Sequence, residues 1–387
     1  MVSEGSNVKR ILFVTHNLKG GGVQKITLDT ARYHVEAGND VSLLCLEKGI
    51  DLPVDFDCHF HTLDMKSFFI SRPWLALYYC FYKLILRKLL PNSEFLWASY
   101  VYGKAFTKFL EGKPKFDAIF VNGIRSMNRL ASVSQDNVVY SLHLPHALAK
   151  KPSSRYFRFL FKRLFSGKKI FCVSEFIRKD IATKARSLGV TIDKLAVIHN
   201  PCDGEKLSRL AQETVPFEDD YVVSVGRLTK QKRFDVLIKA YKIADIDKKL
   251  VILGEGHQRK ELEQLIKELG LDQQVFLVGF DKNPFKWMKR SHFFILSSDF
   301  EGFVLVVNEA LALQVPVVAT DCGPITEILT GELLQGVVPK GDIRLLAEKI
   351  RQFDKQPIKP SDDVVKQLDF HCITQQQLAM VTKSARQ

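Results

Sequence analysis

The chain has 387 residues, 46% hydrophobic and 26% charged, an ordinary soluble composition long enough for two domains with full-sized cores. Its seven cysteines (Cys45, Cys58, Cys80, Cys172, Cys202, Cys322, Cys372) are odd in number and include no C-x-x-C pair, which argues against a disulfide framework or zinc site and fits a reducing cytosol. The net charge of +13 is uneven: residues 1–203 hold 30 Lys+Arg against 17 Asp+Glu, whereas residues 204–387 hold 26 of each. Within residues 66–169 there are 19 basic and 4 acidic side chains, so an anionic partner is expected on the first half only.

The N-terminal ten residues run into only a few apolar or small positions before His16, and no signal peptide is expected. Arg10–Thr15 reads as a short buried strand, His16–Gly22 as a loop ending in three glycines, Val23–Ala37 as a helix and Asp40–Leu46 as the next strand. Strands at Phe116–Val121, Val138–Leu142 and Lys169–Val173 continue the series. A polar stretch, Gly204–Asp220, has the look of a linker. A second series follows, with strands at Tyr221–Val225, Leu250–Leu253, Val275–Val278, Phe293–Leu296 and Val315–Ala319 and helices at Arg233–Ala244 and Arg259–Leu269. The expected fold class is α/β: two doubly wound, Rossmann-like parallel sheets facing across a cleft, with ligands at the carboxyl ends of strands. The expected domains are 1–203, 204–365 and a tail, 366–387, forming a helix that returns to the N-terminal domain.

Two glutamates, Glu301 and Glu309, bracket an apolar run after a β-rich segment. If the helix spans Phe303–Leu313, eight residues at 1.5 Å put the two carboxylates ~12 Å apart along its axis. Gly20, Gly21 and Gly22 stand between a strand and a helix, as a plain turn or as backbone N–H donors for a phosphate. Arg227 and Lys232 follow the first strand of the second half, either as a solvated basic loop or as a fork and a point charge that neutralise a diphosphate without a metal. His143 ends a strand, with His146 close by, and is either structural or directed to the cleft. The triplets Asp55-Phe-Asp57 and Asp245-Ile-Asp247 read as loop punctuation, and no metal site is expected.

The strip Lys66–Lys113 alternates aromatic and aliphatic residues (Phe68, Phe69, Trp74, Tyr78, Phe81, Leu84) with Lys83, Arg87 and Lys88, and Arg155–Phe165 repeats the style. Its charges interrupt the apolar run too early for a membrane span. The alternatives are a core-facing helix with a basic outer face and an interfacial helix on anionic lipid. No nucleic-acid motif accompanies it, and nucleic acid is not an expected partner.

Taken in order, Ser224-Val-Gly-Arg-Leu-Thr-Lys-Gln-Lys232, Val251-Ile-Leu-Gly-Glu-Gly256, Val278-Gly-Phe-Asp-Lys-Asn-Pro284, Ser297-Ser-Asp-Phe-Glu-Gly-Phe303, Asn308-Glu-Ala-Leu-Ala312 and Pro316-Val-Val-Ala-Thr-Asp-Cys-Gly323 resemble the retaining GT-B-fold glycosyltransferases of family 4. The resemblance runs from the glycine loop to about Asp342. It implies that Glu309 accepts hydrogen bonds from the nucleotide's ribose, that Glu301 faces the donor sugar, and that Arg227 and Lys232 clamp the diphosphate. Backbone N–H groups of Phe303, Val304 and Leu305 would add to the clamp. Gly21 and Gly22 would approach from the other domain, and His143 is similar to the family's cleft histidine. Retention is usually explained there by front-face attack, so no protein nucleophile is needed and no cofactor or metal is implied. Three positions depart from the pattern: Val23-Gln24 where an acidic residue is common, Val304 for a Gly or Pro, and Arg233 for a Gly.

The resulting expectation is a retaining hexosyltransferase moving a sugar from a nucleotide diphosphate-sugar to a lipid-linked saccharide or a surface-polysaccharide or lipopolysaccharide acceptor. It would be cytoplasmic and peripheral on the inner face of the plasma membrane, meeting anionic lipid through residues 66–169. A sugar-nucleotide epimerase or phosphorylase of the same fold, or a non-catalytic partner subunit, are the alternatives.

Overall fold

A computed structural model describes residues 8–19, 21–63, 71–90, 93–143, 155–361 and 370–381. Gly20, Phe68, Phe69, His146 and parts of the C-terminal tail fall outside the described residues. The chain divides into two compact units, Met1–His199 with Phe370–Gln387, and Asn200–Asp369.

The first unit holds seven strands: β1 Arg10–Thr15, β2 Asp40–Cys45, β3 His59–Thr62, β4 Ala118–Asn122, β5 Val138–Leu142, β6 Lys169–Cys172 and β7 Lys194–Val197. All pair in parallel, in the order β3-β2-β1-β4-β5-β6-β7. Sheets covered on both faces demand strands apolar throughout, and Ile11–Val14, Leu43–Cys45 and Ala118–Val121 are buried without a break. Helix Gly22–Glu36 packs on this sheet through Leu28 and Ala31, beside Phe13 and Phe120.

Helix Phe370–Ala379 also belongs to this unit: Ile373 joins the same core, Phe370 stacks on Tyr33, and Tyr33 Oη lies 3.1 Å from His371 Nδ1. Lys194 Nζ donates to Ala379 O at 2.7 Å and Lys169 Nζ to Val381 O at 3.1 Å, so cations meet the carbonyls that a helix end leaves unpaired.

The second unit has six parallel strands: β8 Tyr221–Val225, β9 Lys249–Leu253, β10 Val275–Gly279, β11 Phe294–Leu296, β12 Val317–Thr320 and β13 Val337–Val338, ordered β10-β9-β8-β11-β12-β13. In both sheets the fourth strand returns to the far side of the first. The order therefore reverses at β1/β4 and at β8/β11, the positions where such sheets open a crevice at their carboxyl edge.

Two expectations require correction. Gly204–Asp220 is not a linker: Asp203 caps a helix, Gly204–Leu210, by accepting from Lys206 N at 2.9 Å, and Leu207 and Ala211 are buried. Phe217 meets Tyr221, Phe276 and Trp287 edge-on or tilted. These contacts are made inside the second unit, which is why its boundary falls at Asn200 rather than Gly204. The helix expected from Phe303 begins at Leu305 and ends at Ala312, because Phe303 and Val304 are buried in a non-helical approach. Glu301 is thus outside it, and the axial spacing reckoned from a continuous helix does not apply.

Candidate active site at the carboxyl edges of the two sheets

In the second unit the loops after β8 and β9 are pressed together. Gly226 N donates to Leu253 O and Leu228 N to Glu255 O, both at 2.9 Å. Gly254 has φ +144°, and a Cβ there would stand 1.9 Å from Gly226 O; one on Gly256 would stand 2.3 Å from Leu228 O. Only glycine permits this approach. Past it, Thr229 leads into a tight turn, Lys230–Lys232.

That turn delivers Lys232 to Glu301: Nζ donates to Oε1 at 2.7 Å, with the two side chains 17% and 11% exposed. The Glu301 loop is bound to the Lys232 turn along its length. Asp299 N donates to Gln231 O, Gln231 Nε2 to Phe300 O, and Ser297 Oγ to Lys232 O. Arg233 adopts φ +49°, which explains why a glycine suits this position; here its guanidinium grips Asp235 Oδ1 and Oδ2, each at 3.0 Å, and reaches Asp299 at 3.2 Å. Its hydrogen bonds to Asp235 raise its pKa further. Arg227 is exposed at the start of the same loop.

Glu309 stands in the second turn of helix Leu305–Ala312, half-buried; at the helix start Val307 N donates to Val304 O at 3.0 Å, and the N–H groups before it have no carbonyl of the helix ahead of them. Glu301, Lys232 and the helix start are therefore assembled by one pair of loops, β8 to Phe234 and β11 to Val304. Sequence reasoning passed over Ser298 and Asn308, whose buried side-chain atoms Ser298 Oγ, Asn308 Nδ2 and Asn308 Oδ1 find no partner among the described residues. Cys322, beside Glu301, is no nucleophile: burial, and then the carboxylate, push its thiol up to about 12. Among the described residues no three His, Cys, Asp or Glu side chains cluster as metal ligands.

In the first unit Gly21 sits at φ +123° as the residue preceding helix Gly22–Glu36, where a Cβ would lie 2.8 Å from Gln24 Oε1. The loop after β4 touches this helix start, since a Cβ on Gly123 would be 3.1 Å from Val23 Cγ1. From there a chain of hydrogen bonds leads to His143. Ser141 Oγ gives its proton to Asn122 Oδ1 at 2.9 Å, so the His143 Nε2 that lies 2.9 Å from the same oxygen is the donor, and Nδ1 keeps its lone pair. Burial holds the His143 pKa down to about 4, so the ring is neutral at pH 7.

The basic aromatic strip resolves into three different surfaces. Helix Glu94–Glu111 buries Phe95, Ala98, Val101, Tyr102 and Phe106, and helix Arg155–Phe165 buries Phe157, Leu160, Phe161, Leu164 and Phe165. Both are core-facing, which corrects the expectation that the whole of 66–169 presents a lipid surface. Helix Pro73–Phe81, continued by a π-helical turn Tyr82–Leu86 and Arg87–Leu89, does the opposite: Trp74, Leu77, Phe81, Leu84 and Leu89 are 57%, 72%, 47%, 71% and 69% exposed. It is anchored on its other side by Leu75 and Tyr82, with Tyr79 and Tyr82 against Trp97. No helix among the described residues is long and apolar enough to cross a membrane.

Two parallel, doubly wound sheets, each with loops and a helix start gathered at its carboxyl edge, define a two-domain Rossmann-like α/β protein. Residues 20–206 match the family described as Glycosyltransferase Family 4, and residues 209–367 match Glycosyl transferases group 1. The chain belongs to this family and is a glycosyltransferase of the GT-B fold.

One relative, the N-acetylgalactosamine-N,N'-diacetylbacillosaminyl-diphospho-undecaprenol 4-alpha-N-acetylgalactosaminyltransferase of Campylobacter jejuni, is 29% identical over 315 residues, 79% of either chain. The lipopolysaccharide core biosynthesis glycosyltransferase LpsD of Rhizobium meliloti is 31% identical over 183 residues, 47% of this chain and 53% of that one. Among solved structures, Anabaena HepE in complex with UDP and glucose superposes with a TM-score of 0.66 at 20% identity, covering 96% of this chain and 99% of that one.

Proposed function

We propose that this glycosyltransferase retains anomeric configuration and moves a sugar from a nucleotide diphosphate-sugar to a lipid-linked saccharide that feeds a surface polysaccharide or lipopolysaccharide. The observation that carries the donor half is the Lys232–Glu301 pair, 2.7 Å apart and screened from water beside a helix N-terminus. Lys232 and Arg227 take the diphosphate, aided by the N–H groups of Phe303, Val304 and Leu305, and Glu309 accepts from the ribose hydroxyls. Glu301 faces the sugar. In the first unit Gly21, Gly22 and His143, whose Nδ1 keeps a lone pair, are assigned to binding the substrates.

In the reaction the bond from the anomeric carbon to the diphosphate oxygen breaks, and a bond to the acceptor oxygen forms on the same face. The acceptor's proton passes to the departing phosphate. Lys232, held by Glu301, with Arg227 and a helix terminus stabilises the charge that grows on the diphosphate, so neither a protein nucleophile nor a metal is required.

The lipid-linked acceptor is supported by the diphospho-undecaprenol-linked substrate in the name of the Campylobacter relative and by the exposed Pro73–Leu89 face with Lys83 and Lys88. We assign that face to the cytoplasmic surface of an anionic membrane, where apolar side chains enter the headgroup boundary and lysines meet phosphates. Transfer from radiolabelled nucleotide-sugars tests the donor assignment. Glu309→Ala and Lys232→Ala are each expected to lower the rate at least 100-fold, and full activity in both variants refutes it.

A further inference from the structure

A cavity of about 500 Å³ opens at the amino edge of the second sheet, the end opposite the Lys232–Glu301 pair. Its floor is apolar: Tyr221 begins β8, and Leu313, Val315 and Pro316 carry the chain from helix Leu305–Ala312 into β12. Gln314 turns that corner at φ +61°, with Gln314 N donating to Leu311 O and Val315 N to Ala310 O, both at 2.9 Å. The rim is cationic. Lys248, Lys289, Arg290 and Lys359 line it against one carboxylate, Asp220.

The partners these cations find leave charge to spare. Lys248 Nζ is matched by Asp354 Oδ1 at 2.8 Å. Lys289 Nζ donates only to a carbonyl, Leu313 O, at 3.0 Å. The Arg290 guanidinium donates to Ala211 O, Lys286 O and Gln212 O at 2.9, 3.1 and 3.3 Å. Carbonyls satisfy donors without neutralising a charge, and Lys359 makes no hydrogen bond or ion pair among the described residues.

That donor set selects the ligand's class. The Arg290 fork, which would suit a planar carboxylate, is held by three carbonyls. The donors left are the ammonium groups of Lys289 and Lys359, point charges that suit a compact phosphoryl group. The cavity is far larger than a bare phosphate and lies within the size range of small-ligand sites. Pro316 and Pro357 offer apolar walls to the body of such a ligand, and Asp220 accepts from its hydroxyls.

The same cavity reaches the donor side through one helix. Leu313 O lies at the carboxyl end of helix Leu305–Ala312, whose other end, about 12 Å away, carries the N–H groups assigned to the diphosphate. Lys289 at Leu313 complements the helix dipole. A phosphoryl group that draws Lys289 away and adds negative charge opposes that dipole, and with it an anion at the far end.

We propose that the amino edge of the second sheet binds a hydroxylated phosphomonoester through Lys289 and Lys359, and that its occupancy weakens nucleoside diphosphate binding through helix Leu305–Ala312. The site stands on the cavity and its charges, whereas the linkage rests on the donor assignment made above.

Isothermal titration calorimetry on the full chain tests both, with glucose 6-phosphate, glucose, glucuronate and UDP as probes. Glucose 6-phosphate is expected to bind with or without excess UDP, about tenfold tighter than glucose or glucuronate. Lys289→Gln and Lys359→Gln, at exposed positions outside the core, each weaken it about tenfold, whereas Lys232→Ala leaves it in place. Saturating glucose 6-phosphate raises the Kd of UDP about two- to fivefold, UDP raises that of glucose 6-phosphate by the same factor, and Lys289→Gln removes the effect. No binding of glucose 6-phosphate, equal binding of glucose or glucuronate, full affinity in both lysine variants, or loss of binding in Lys232→Ala overturns the site. An unchanged UDP affinity in saturating glucose 6-phosphate overturns the linkage. A failure of the donor assignment is separate: it shows as absent UDP binding in the unaltered protein, and the glucose 6-phosphate titration still decides the site.

Discussion

Acidification is expected to loosen the first unit ahead of the second, and the amount follows from three histidines whose pKa burial depresses, His34, His16 and His143. His34 is 2% exposed and packs 5.7 Å from the Phe13 ring; burial, with Lys9 nearby, pulls its pKa to about 4, the value that burial and two arginines also impose on His16. Folded, each ring binds fewer protons between pH 6.5 and 4 than it does unfolded. Its contribution is therefore whole above pH 6.5 and is lost as pH falls toward 4. At pH 5 the loss is about 2 kcal/mol for each ring, or about 6 kcal/mol for the three, more than ten-thousandfold in the opening equilibrium. Hydrogen exchange read by mass spectrometry, corrected for the intrinsic pH dependence, resolves β1, β2 and β4 from β8 and β9 in one sample. Between pH 7.5 and 5 the first set is expected to lose about four decades of protection relative to the second, and His34→Leu to reduce that difference roughly 30-fold, to about three decades. Equal loss in both units, or an unchanged difference in His34→Leu, refutes the reasoning.

Gly254→Ala puts a Cβ 1.9 Å from Gly226 O at φ +144°, so backbone must move; strain and clash together should cost more than about 3 kcal/mol and separate the Arg227 loop from its neighbour. A lowered unfolding midpoint with weakened nucleotide affinity is expected, and a variant like wild type in both would show that the loops do not touch. Replacing Lys83, Arg87 and Lys88 by glutamine removes about 1 kcal/mol of lipid attraction each, so binding to phosphatidylserine vesicles should fall about 100-fold while binding to neutral vesicles changes little. Unchanged sedimentation with anionic vesicles contradicts the membrane face.

How far the fold could be read depended on where each element lies in its sheet. β1, β5 and β8 begin and end at the expected residues because central parallel strands are apolar on both faces and polar residues bound them. β3, His59-Phe-His-Thr62, escaped notice as an edge strand whose exposed polar side chains break the apolar run, and β7, Lys194-Leu-Ala-Val197, as an edge strand that is short and only half-buried along its length. The polar look of Gly204–Asp220 concealed a capped helix, since Asp203, Leu207 and Phe217 are informative only once their partners are known. For the site, motif order located Lys232, Glu301 and Glu309, but no local pattern foretells an ion pair between residues 69 positions apart. The basic cavity was less legible still: Lys289 and Lys359 lie far apart in the chain and belong to no recognisable motif, and only the alignment of β8, β11 and β12 at their amino ends brings them together.

The Lys232–Glu301 pair also shows how two nearly buried charges are kept together. A lysine 17% exposed without a counter-charge would lose much of its hydration, and an isolated Glu301, 11% exposed, would do the same. Paired, the two neutralise each other, and Arg233 performs the matching task on the outer side of the loop, offsetting its own left-handed backbone, about 1–2 kcal/mol, with Asp235 and Asp299. Consecutive residues thus tie the β8 loop to the β11 loop from both sides, Lys232 through Glu301 and Arg233 through Asp299. Under the donor assignment proposed above, an arriving diphosphate competes with Glu301 for Lys232, and the carboxylate it displaces becomes available to the sugar's hydroxyls. Donor binding is then an exchange of partners at Lys232 rather than the burial of a new charge, which keeps its electrostatic cost low and couples recognition of the diphosphate to recognition of the sugar.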